Sequence, residues 1–383
     1  MRKAAILNWL VYWFVRRRRL HPAAIRWPVG IYKVDRLGDF ILSIEAIRII
    51  VATAGEANCV LIHSVVSSQI AAREFPNVSR IALPPLDGKL WVTYRRLRRL
   101  IADGFDSGGI GGLICLRHYR TLSDEIALQM IPAAKVWCVR NSHISDVGYE
   151  LVADRFQGDI VVDRPVSVAR QDLCEDLVCH QSIVSAWSKE PSSKRDIRPR
   201  LRPHRGDLGN TLALVPFGSD RLRDLPVAGV VACVVHAREK LGLNAVLLSP
   251  PGAVPRYSSY IDELRSHGAA VALRITQDCN ELIDAIGNST VLLTAETATA
   301  HIAAALDIPM VCLVGGGHFG LFGPWRWSSR QQWVTNRVRC FNCGWQCIYP
   351  EPICIKGVAS EKLVEALEEA VNGQPTEFLQ ASV

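Results

Sequence analysis

The segment from Asp35 to Phe40 places two carboxylates around a glycine, between an apolar run and a stretch with apolar residues at helical spacing. Gly38 permits a tight turn, and Asp39 falls where the predicted helix starts. A carboxylate at that position either caps the amide hydrogens of the helix or points into a ligand cleft, where it can accept a proton. From these residues alone, capping is the favoured role of Asp39.

Gly218 and Ser219 form a predicted turn at the carboxyl end of another apolar run, and Arg221 and Arg223 follow directly. The amide hydrogens of such a turn, together with guanidinium groups that bind in a bidentate manner, can hold a phosphate. Solvated arginines on a surface loop explain the same residues. Both interpretations stay open at this point.

The residues from Thr294 to His301 follow a further apolar run and open a predicted helix with small side chains. The free amides and the positive dipole end of such a helix suit an anionic ligand such as a diphosphate. Thr297 and Thr299 add hydroxyl donors. His301 lies one turn into the helix, where its ring either touches the same ligand or is a satisfied structural residue.

The loop from Gly315 to Gly320 contains consecutive glycines, which let a backbone approach a ligand closely or simply move. The sequence has neither a Walker motif nor a dinucleotide fingerprint, and this absence disfavours phosphoryl transfer and hydride transfer.

The 12 cysteines fall into two groups. Most are scattered, several of them in apolar runs, as is typical of buried core residues. The others form a C-x2-C-x3-C-x6-C run of Cys340, Cys343, Cys347 and Cys354. The first spacing suits thiolate ligation of zinc, but the later spacings differ from the usual paired knuckles. A structural metal and a reduced, packed loop therefore both remain open.

The elements that position these segments are predicted from residue 29 onward, where apolar runs of strand length alternate with helical stretches. This α/β pattern is typical of parallel sheets wrapped by helices. Prolines and like charges in residues 189–207 leave no periodic apolar face, so this stretch is predicted to be a linker. It separates two doubly wound, Rossmann-like domains, residues 29–188 and 208–383, with a ligand cleft expected between them. Residues 91–100 are predicted to form an exposed cationic helix.

The net charge of +7 is concentrated at the N-terminus, because residues 1–34 contain eight basic residues and no acid. The rest is nearly neutral, which argues against nucleic-acid binding. Residues 4–15 are almost entirely apolar, and Arg16–Arg19 follow them directly. The apolar run is too short to cross a bilayer. Segment 1–28 is therefore predicted to associate with a membrane surface, with packing on the protein's own body as the alternative.

Taken in order, four segments resemble motifs of the heptosyltransferases of glycosyltransferase family 9. Asp35 to Ile47 resembles their R-x-G-D strand-to-helix motif, and Val215 to Pro226 is similar to their phosphate loop. Thr294 to Ala305 resembles the D-T-G-x-A-H-L-A-A-A signature, and Leu313 to Pro324 resembles the L-F-G-P-T-D-P loop. The resemblance covers residues 29–370.

The resemblance implies a two-domain fold of the GT-B type. It also implies an inverting, metal-independent transfer of a sugar, such as heptose, from a nucleotide-diphosphate donor to a lipopolysaccharide-core or other cell-envelope acceptor. The nucleotide sugar is then a co-substrate, with no further cofactor. A lipid-linked acceptor and the basic N-terminal segment together suggest a peripheral enzyme on the cytoplasmic face of the inner membrane.

The same resemblance assigns roles residue by residue. Asp39 becomes the general base that takes a proton from the acceptor hydroxyl. The donor and its phosphates fall to Gly218, Ser219, Arg223, Glu296, Thr297, Ala298, Thr299 and His301. Arg117 and Arg120 are candidate contacts to an anionic acceptor, with solvated surface positions as the alternative.

The sequence departs from the family's pattern at several positions. Glu296 replaces an aspartate, Ala298 a glycine and Arg223 a lysine, and no tryptophan follows Arg223 in the phosphate loop. The segment from Pro250 to Gly252 also lacks the acidic residue that often contacts the donor ribose in the family. These changes keep the charge pattern but leave the donor sugar open. Two alternatives to a transferase follow from the same scaffold. One is a nucleotide-sugar epimerase or hydrolase, and the other is a catalytically lapsed protein that still binds the donor.

Overall fold

The computed structural model describes residues 23–84, 90–105, 108–140, 159–163, 173–191, 196–202, 209–218 and 220–373, without the side chains of residues 90–93 and 122. Residues 1–22 of the predicted membrane-associating segment 1–28 lie outside this part, and so does Ser219. The chain divides into two compact units, Met1–Val168 with Asp176–Ile197, and Ala169–Glu175 with Arg198–Val383. The division after Ile197 lies inside the stretch that the sequence predicts as a linker.

The first unit is built on a parallel six-stranded sheet with the order β3-β2-β1-β4-β5-β6. Its strands are β1 Ile25–Lys33, β2 Cys59–Ser64, β3 Ser79–Leu83, β4 Gly109–Cys115, β5 Ala133–Val139 and β6 Ile160–Val162. Its helices are α1 Leu37–Ala54, α2 Ser68–Glu74, α3 Leu90–Gly104, α4 Leu122–Met130 and, from Asp176 onward, α5 Glu175–Ser188. The inner strands are almost continuously apolar because helices cover both faces of such a sheet.

The second unit repeats the architecture, with the strand order β12-β11-β10-β7-β8-β9. Its strands are β7 Thr211–Val215, β8 Asn244–Ser249, β9 Val271–Ile275, β10 Val291–Ala295, β11 Met310–Leu313 and β12 Gln331–Val334. Its helices are α6 Val227–Lys240, α7 Val254–Ser266, α8 Cys279–Gly287, α9 Ala298–Ala305, α10 Ile353–Lys356 and α11 Ser360–Asn372. The predicted fold class, two doubly wound α/β domains, is confirmed.

Each sheet has one place where the order of the strands changes direction. The chain runs outward from β1 to β3, then returns to add β4 on the other side of β1; β7 and β10 have the same relation in the second sheet. Ligand sites of open parallel sheets lie beyond the carboxyl ends of the strands at this switch point. The segments that follow β1, β4, β7 and β10 are therefore placed where a site is expected.

The cationic helix predicted over residues 91–100 is α3, and its side chains divide by face. Arg95, Arg96, Arg98 and Arg99 are exposed. Leu97 and Ile101, one turn apart, are buried in the first core. Within the part of the chain that the structure describes, every helix is too short or too polar to cross a bilayer.

Candidate functional site

Asp39 lies in the first turn of α1, directly beyond the carboxyl end of β1. The N-cap of this helix is Arg36, which makes no capping bond through its side chain. Among the described residues, no hydrogen bond engages the half-buried Asp39 carboxylate, so capping is not its role. Burial and the neighbouring charge of Asp35 raise the pKa of Asp39 to about 7, against the lowering influence of Lys33 and Arg117. A carboxyl group with this pKa can exchange a proton near neutral pH.

Lys33, the last residue of β1, supplies the buried cation next to this carboxylate. Its ammonium lies 3.2 Å from Asp35 and 3.9 Å from Asp176, and it donates a hydrogen bond of 3.3 Å to the Leu116 carbonyl. Burial alone lowers the pKa of Lys33, but the carboxylates of Asp176, Asp35 and Asp39 outweigh burial and raise it. Lys33 therefore stays charged and limits how far the Asp39 pKa rises.

Arg117 follows β4 and completes the ion pairs around Asp39. Its guanidinium contacts Asp35 at 3.2 Å and Asp124 at 2.7 Å, and it donates to the Val34 carbonyl. The structure thus places this predicted acceptor contact near the predicted base, Asp39. Arg117 holds Asp35 in place, and 20% of the Arg117 side chain is exposed.

The second predicted acceptor contact needs a correction. Arg120 is only 3% exposed, and its guanidinium is bound to Glu125 at 2.7 Å and to the Val139 carbonyl at 2.9 Å. An arginine that is closed into a buried ion pair cannot reach an acceptor, nor is it a solvated surface residue. Its role is to join the ends of β4 and β5.

Three buried side chains that surround Lys33 were not predicted from the sequence. Asp176 and His180 lie one turn apart on α5, and His118 Nδ1 lies 2.8 Å from Asp176. Burial lowers the pKa of His180 to about 4, so its ring is neutral at neutral pH. Ligand atoms of these three residues lie within 4.8 Å of one another. Because the Lys33 ammonium is 3.5 Å from His180 and 3.9 Å from Asp176, a cation is already in place there.

Gly218 shapes the loop after β7. A Cβ on this residue would lie 2.6 Å from Cβ of Arg223, so only glycine fits. Its amide donates a 3.0 Å hydrogen bond to Asp224, which is paired with Arg256. The prediction that the Gly218 amide binds phosphate is therefore corrected, since the glycine acts by letting Arg223 approach.

Of the predicted phosphate-binding residues, Arg223 has the position that best suits this role. One of its terminal nitrogens lies 3.4 Å from the Glu296 carbonyl, and its guanidinium stacks over the Trp345 ring at 4.9 Å. The remaining Nε group is buried without a hydrogen-bond partner among the described residues. A buried donor without a partner is costly, and an anionic ligand would supply the acceptor.

Glu296 is buried, and its carboxylate is turned toward the next strand end. It accepts a 3.1 Å hydrogen bond from the Gly315 amide. Burial raises the pKa of Glu296 to about 7, while Arg223 and the Gly315 amide lower it. This predicted donor-binding residue joins the carboxyl ends of β10 and β11, next to Arg223.

Hydroxyl groups connect the end of β10 to the start of α9. Thr299 Oγ1 lies 2.7 Å from that of Thr294 and 2.6 Å from that of Thr297. Thr299 is buried and shares its hydroxyl with other threonines, so its predicted role as a ligand donor is corrected to an internal one. Thr297 and Ala298 are half-buried and form the accessible edge of the helix start.

His301 is buried one turn into α9, against two tryptophans. Its Nδ1 accepts a 3.0 Å hydrogen bond from Trp325, whose ring is stacked parallel to it, and the Trp333 ring lies 6.2 Å away. His301 is therefore better described as a satisfied structural residue than as a direct ligand of the diphosphate.

The glycine loop after β11 is covered by aromatic rings from the cysteine-rich segment. Cβ atoms on Gly315 and Gly317 would lie 2.2 and 2.5 Å from atoms of Trp345, and one on Gly316 would lie 2.7 Å from Phe341. These glycines thus permit a close approach, but of the chain's own side chains. Trp345 links this loop to Arg223.

No protein-family model matches the sequence, and no curated protein matches it. Solved structures do match the fold. A glycosyltransferase family 9 protein from Veillonella parvula DSM 2008 has a TM-score of 0.65 at 12% identity, covering 90% of this chain and 96% of its own. E. coli heptosyltransferase WaaC, solved with ADP, has a TM-score of 0.64 at 12% identity over 89% and 99% of the two chains.

A third structure extends the same likeness. E. coli ADP-heptose lps heptosyltransferase II has a TM-score of 0.52 at 12% identity, over 93% of this chain and 99% of its own. Identities this low establish the fold alone, and both sheets of the chain agree with it. The chain has the GT-B fold of the glycosyltransferase family 9 heptosyltransferases.

Proposed function

We propose that the protein is an inverting, metal-independent glycosyltransferase that uses Asp39 as its general base. The observation that carries this proposal is the Asp39 carboxyl group itself. It lies at a switch point, no hydrogen bond holds it within the described part of the chain, and its pKa of about 7 suits proton transfer at neutral pH.

In the proposed reaction, the acceptor hydroxyl loses its proton to Asp39 while its oxygen attacks the anomeric carbon. The bond from that carbon to the diphosphate breaks on the opposite face, so the configuration inverts and the negative charge moves to the leaving nucleoside diphosphate. The Arg223 guanidinium and the amides at the start of α9 are proposed to stabilise this charge.

The donor is proposed to be an ADP-linked sugar, with heptose as the first candidate. Support comes from the structural neighbours, since E. coli WaaC was solved with ADP and with ADP-2-deoxy-2-fluoro heptose. The acceptor is proposed to be a lipopolysaccharide core or another cell-envelope glycan, because the motif resemblance points to the enzymes that extend this core.

A thermal-shift screen tests the donor. We expect an ADP-linked sugar at 100 times its Kd to stabilise the chain by about 2.7 kcal/mol and so raise its melting temperature. UDP-, GDP- and CMP-linked sugars at the same concentration are the controls for base recognition. If none of the four shifts the transition, the donor-site assignment fails.

The same reagents separate the transferase from its alternatives. An epimerase or hydrolase converts the nucleotide sugar without any acceptor, whereas a transferase requires one. A catalytically inactive protein that still binds the donor gives the thermal shift. It transfers no sugar to the acceptor that is extracted from cells in which the gene is deleted. Product analysis by mass spectrometry, with and without acceptor, distinguishes all three outcomes.

We further propose that the basic N-terminal segment holds the enzyme on the cytoplasmic face of the inner membrane. At about 1 kcal/mol for each arginine, replacing Arg16–Arg19 with glutamine should weaken binding to phosphatidylglycerol vesicles roughly a hundredfold or more. Replacing the four exposed arginines of α3 (Arg95, Arg96, Arg98 and Arg99) is the matched control. Equal binding by both variants in a vesicle sedimentation assay would contradict the proposal.

A further inference from the structure

The segment between β12 and α10 has no helix or strand, although it carries three of the clustered cysteines. We call residues 335–354, which also include Cys354 in α10, the cysteine loop. Its backbone turns tightly, with left-handed conformations at Asn342, Gly344 and Trp345 (φ of 64°, 60° and 65°). Two of these are not glycine, and each costs energy that only tight surrounding contacts can offset. Tight contacts must therefore hold the loop in this shape.

All four cysteines of this loop line one small cavity. Its free volume is about 10 Å³, enough for one atom the size of a water molecule. The rest of the lining consists of glycines, apolar residues such as Val338 and Ile353, and two aromatic rings, with no histidine or carboxylate. The four thiol groups, with the Tyr349 phenol beside them, are therefore the metal-binding side-chain groups of this lining.

The thiols are not consumed by disulfide bonds. None of the twelve cysteines of the chain forms a disulfide. No three of the clustered sulfur atoms yet lie within 4.8 Å of one another, so their side chains must turn inward to share one ion. Cys340, Cys343 and Cys347 are half-buried at the cavity edge, which leaves space for that rotation.

From this geometry we propose that Cys340, Cys343, Cys347 and Cys354 bind one thiolate-preferring transition-metal ion, zinc or iron. Four thiolates in tetrahedral arrangement are a donor set that selects these metals over magnesium or calcium. Each thiol that ligates gives up its proton to solvent, with no change in oxidation state required. The ion is structural, and no step of the proposed sugar transfer passes through it.

Such an ion would also position the predicted donor site. Trp345 lies in the middle of the cysteine loop, packs on Gly315 and Gly317, and stacks under the Arg223 guanidinium at 4.9 Å. Its indole nitrogen donates a 3.2 Å hydrogen bond to His318. Fixing the loop therefore fixes the ring on which Arg223 rests.

Metal analysis of the full-length chain tests the proposal directly. The protein is purified without metal-affinity resin or chelator, and its zinc and iron are measured by mass spectrometry. We expect about one ion per chain in total, and the measurement identifies which metal it is. The combined variant Cys340→Ser and Cys343→Ser should lose at least about four-fifths of it. Cys279→Ser, a change of a half-buried thiol at the start of α8, should retain it.

A second measurement does not depend on any variant folding. The chelator-treated wild-type chain is titrated anaerobically with Co²⁺, which should give the intense near-ultraviolet thiolate charge-transfer bands of a tetrahedral sulfur site. Absence of metal in the purified chain, together with no stoichiometric uptake of Co²⁺, Zn²⁺ or Fe²⁺, would overturn the proposal. Disulfides among these cysteines in the native protein would overturn it as well. Neither readout depends on sugar transfer, so this proposal and the proposed function can fail separately.

Discussion

Replacing Asp39 with asparagine should lower kcat for sugar transfer by about 10²–10⁴-fold, while the affinity for the donor stays within about twofold. Asparagine has nearly the same size and can occupy the same place in the first turn of α1, but it cannot accept the acceptor proton. Single-turnover transfer to lipopolysaccharide acceptor separates the loss in the chemical step from any change in binding.

The same substitution should make the protein more stable above neutral pH. The folded-state pKa of Asp39 is about 7, against an ordinary value of 3.8, so the folded state holds its proton more tightly than the unfolded state. The resulting penalty is absent below about pH 4, grows as the pH rises, and is complete above about pH 7. Removing the charge should therefore increase the free energy of unfolding at pH 8 by about 2 to 4 kcal/mol.

Asp103→Asn, which changes an exposed carboxylate on α3, is the matched control and should alter neither rate nor stability. A variant at Asp39 that transfers sugar normally would remove the base from the mechanism. A variant that is inactive but less stable at pH 8 would mean that the carboxylate holds the fold together.

Replacing Arg223 with methionine should reduce kcat/KM about 10²–10³-fold and weaken nucleoside diphosphate binding about 10–100-fold. The substitution removes the buried Nε donor and the charge that rests on Trp345, but it keeps an apolar stem over that ring. Arg223→Lys should recover part of the affinity, since a point charge remains although the planar fork is lost. Calorimetric titration with ADP measures the binding change.

Arg221→Met is the control for this prediction, because Arg221 belongs to the same short turn but is exposed. It should leave ADP affinity unchanged. Equal losses at both positions would indicate a general electrostatic effect of the loop, and no loss at Arg223 would exclude it as the diphosphate ligand.

The sequence was informative wherever local pattern decides structure. The apolar runs that became β1, β4, β7, β10 and β11 were identifiable because both faces of these strands are buried. Strands β3 and β12 were not, since S-R-I-A-L and Q-Q-W-V are short and place polar residues at the edges of their sheets. The place of Asp39 between β1 and α1 was likewise readable from a glycine turn followed by helical spacing.

What the sequence could not show depends on packing between distant segments. Lys33, His118 and Asp176 are far apart in the chain and meet only when β1, β4 and α5 pack together. Arg120 resembles a surface charge until Glu125 is seen beside it in the core. The contact of Trp345 with the glycine loop left no local signal, although the i,i+4 spacing of Asp176 and His180 on one helix was a signal that could have been used.

The pH dependence of kcat/KM for the wild-type enzyme tests the central claim most directly. Because Asp39 acts as a base only when ionised, and its pKa is about 7, the rate should fall about tenfold per pH unit below that value and level off above it. Asp39→Asn should remove this limb and leave a low, flat profile. A wild-type rate that is constant between about pH 5 and pH 8 would contradict proton transfer to Asp39.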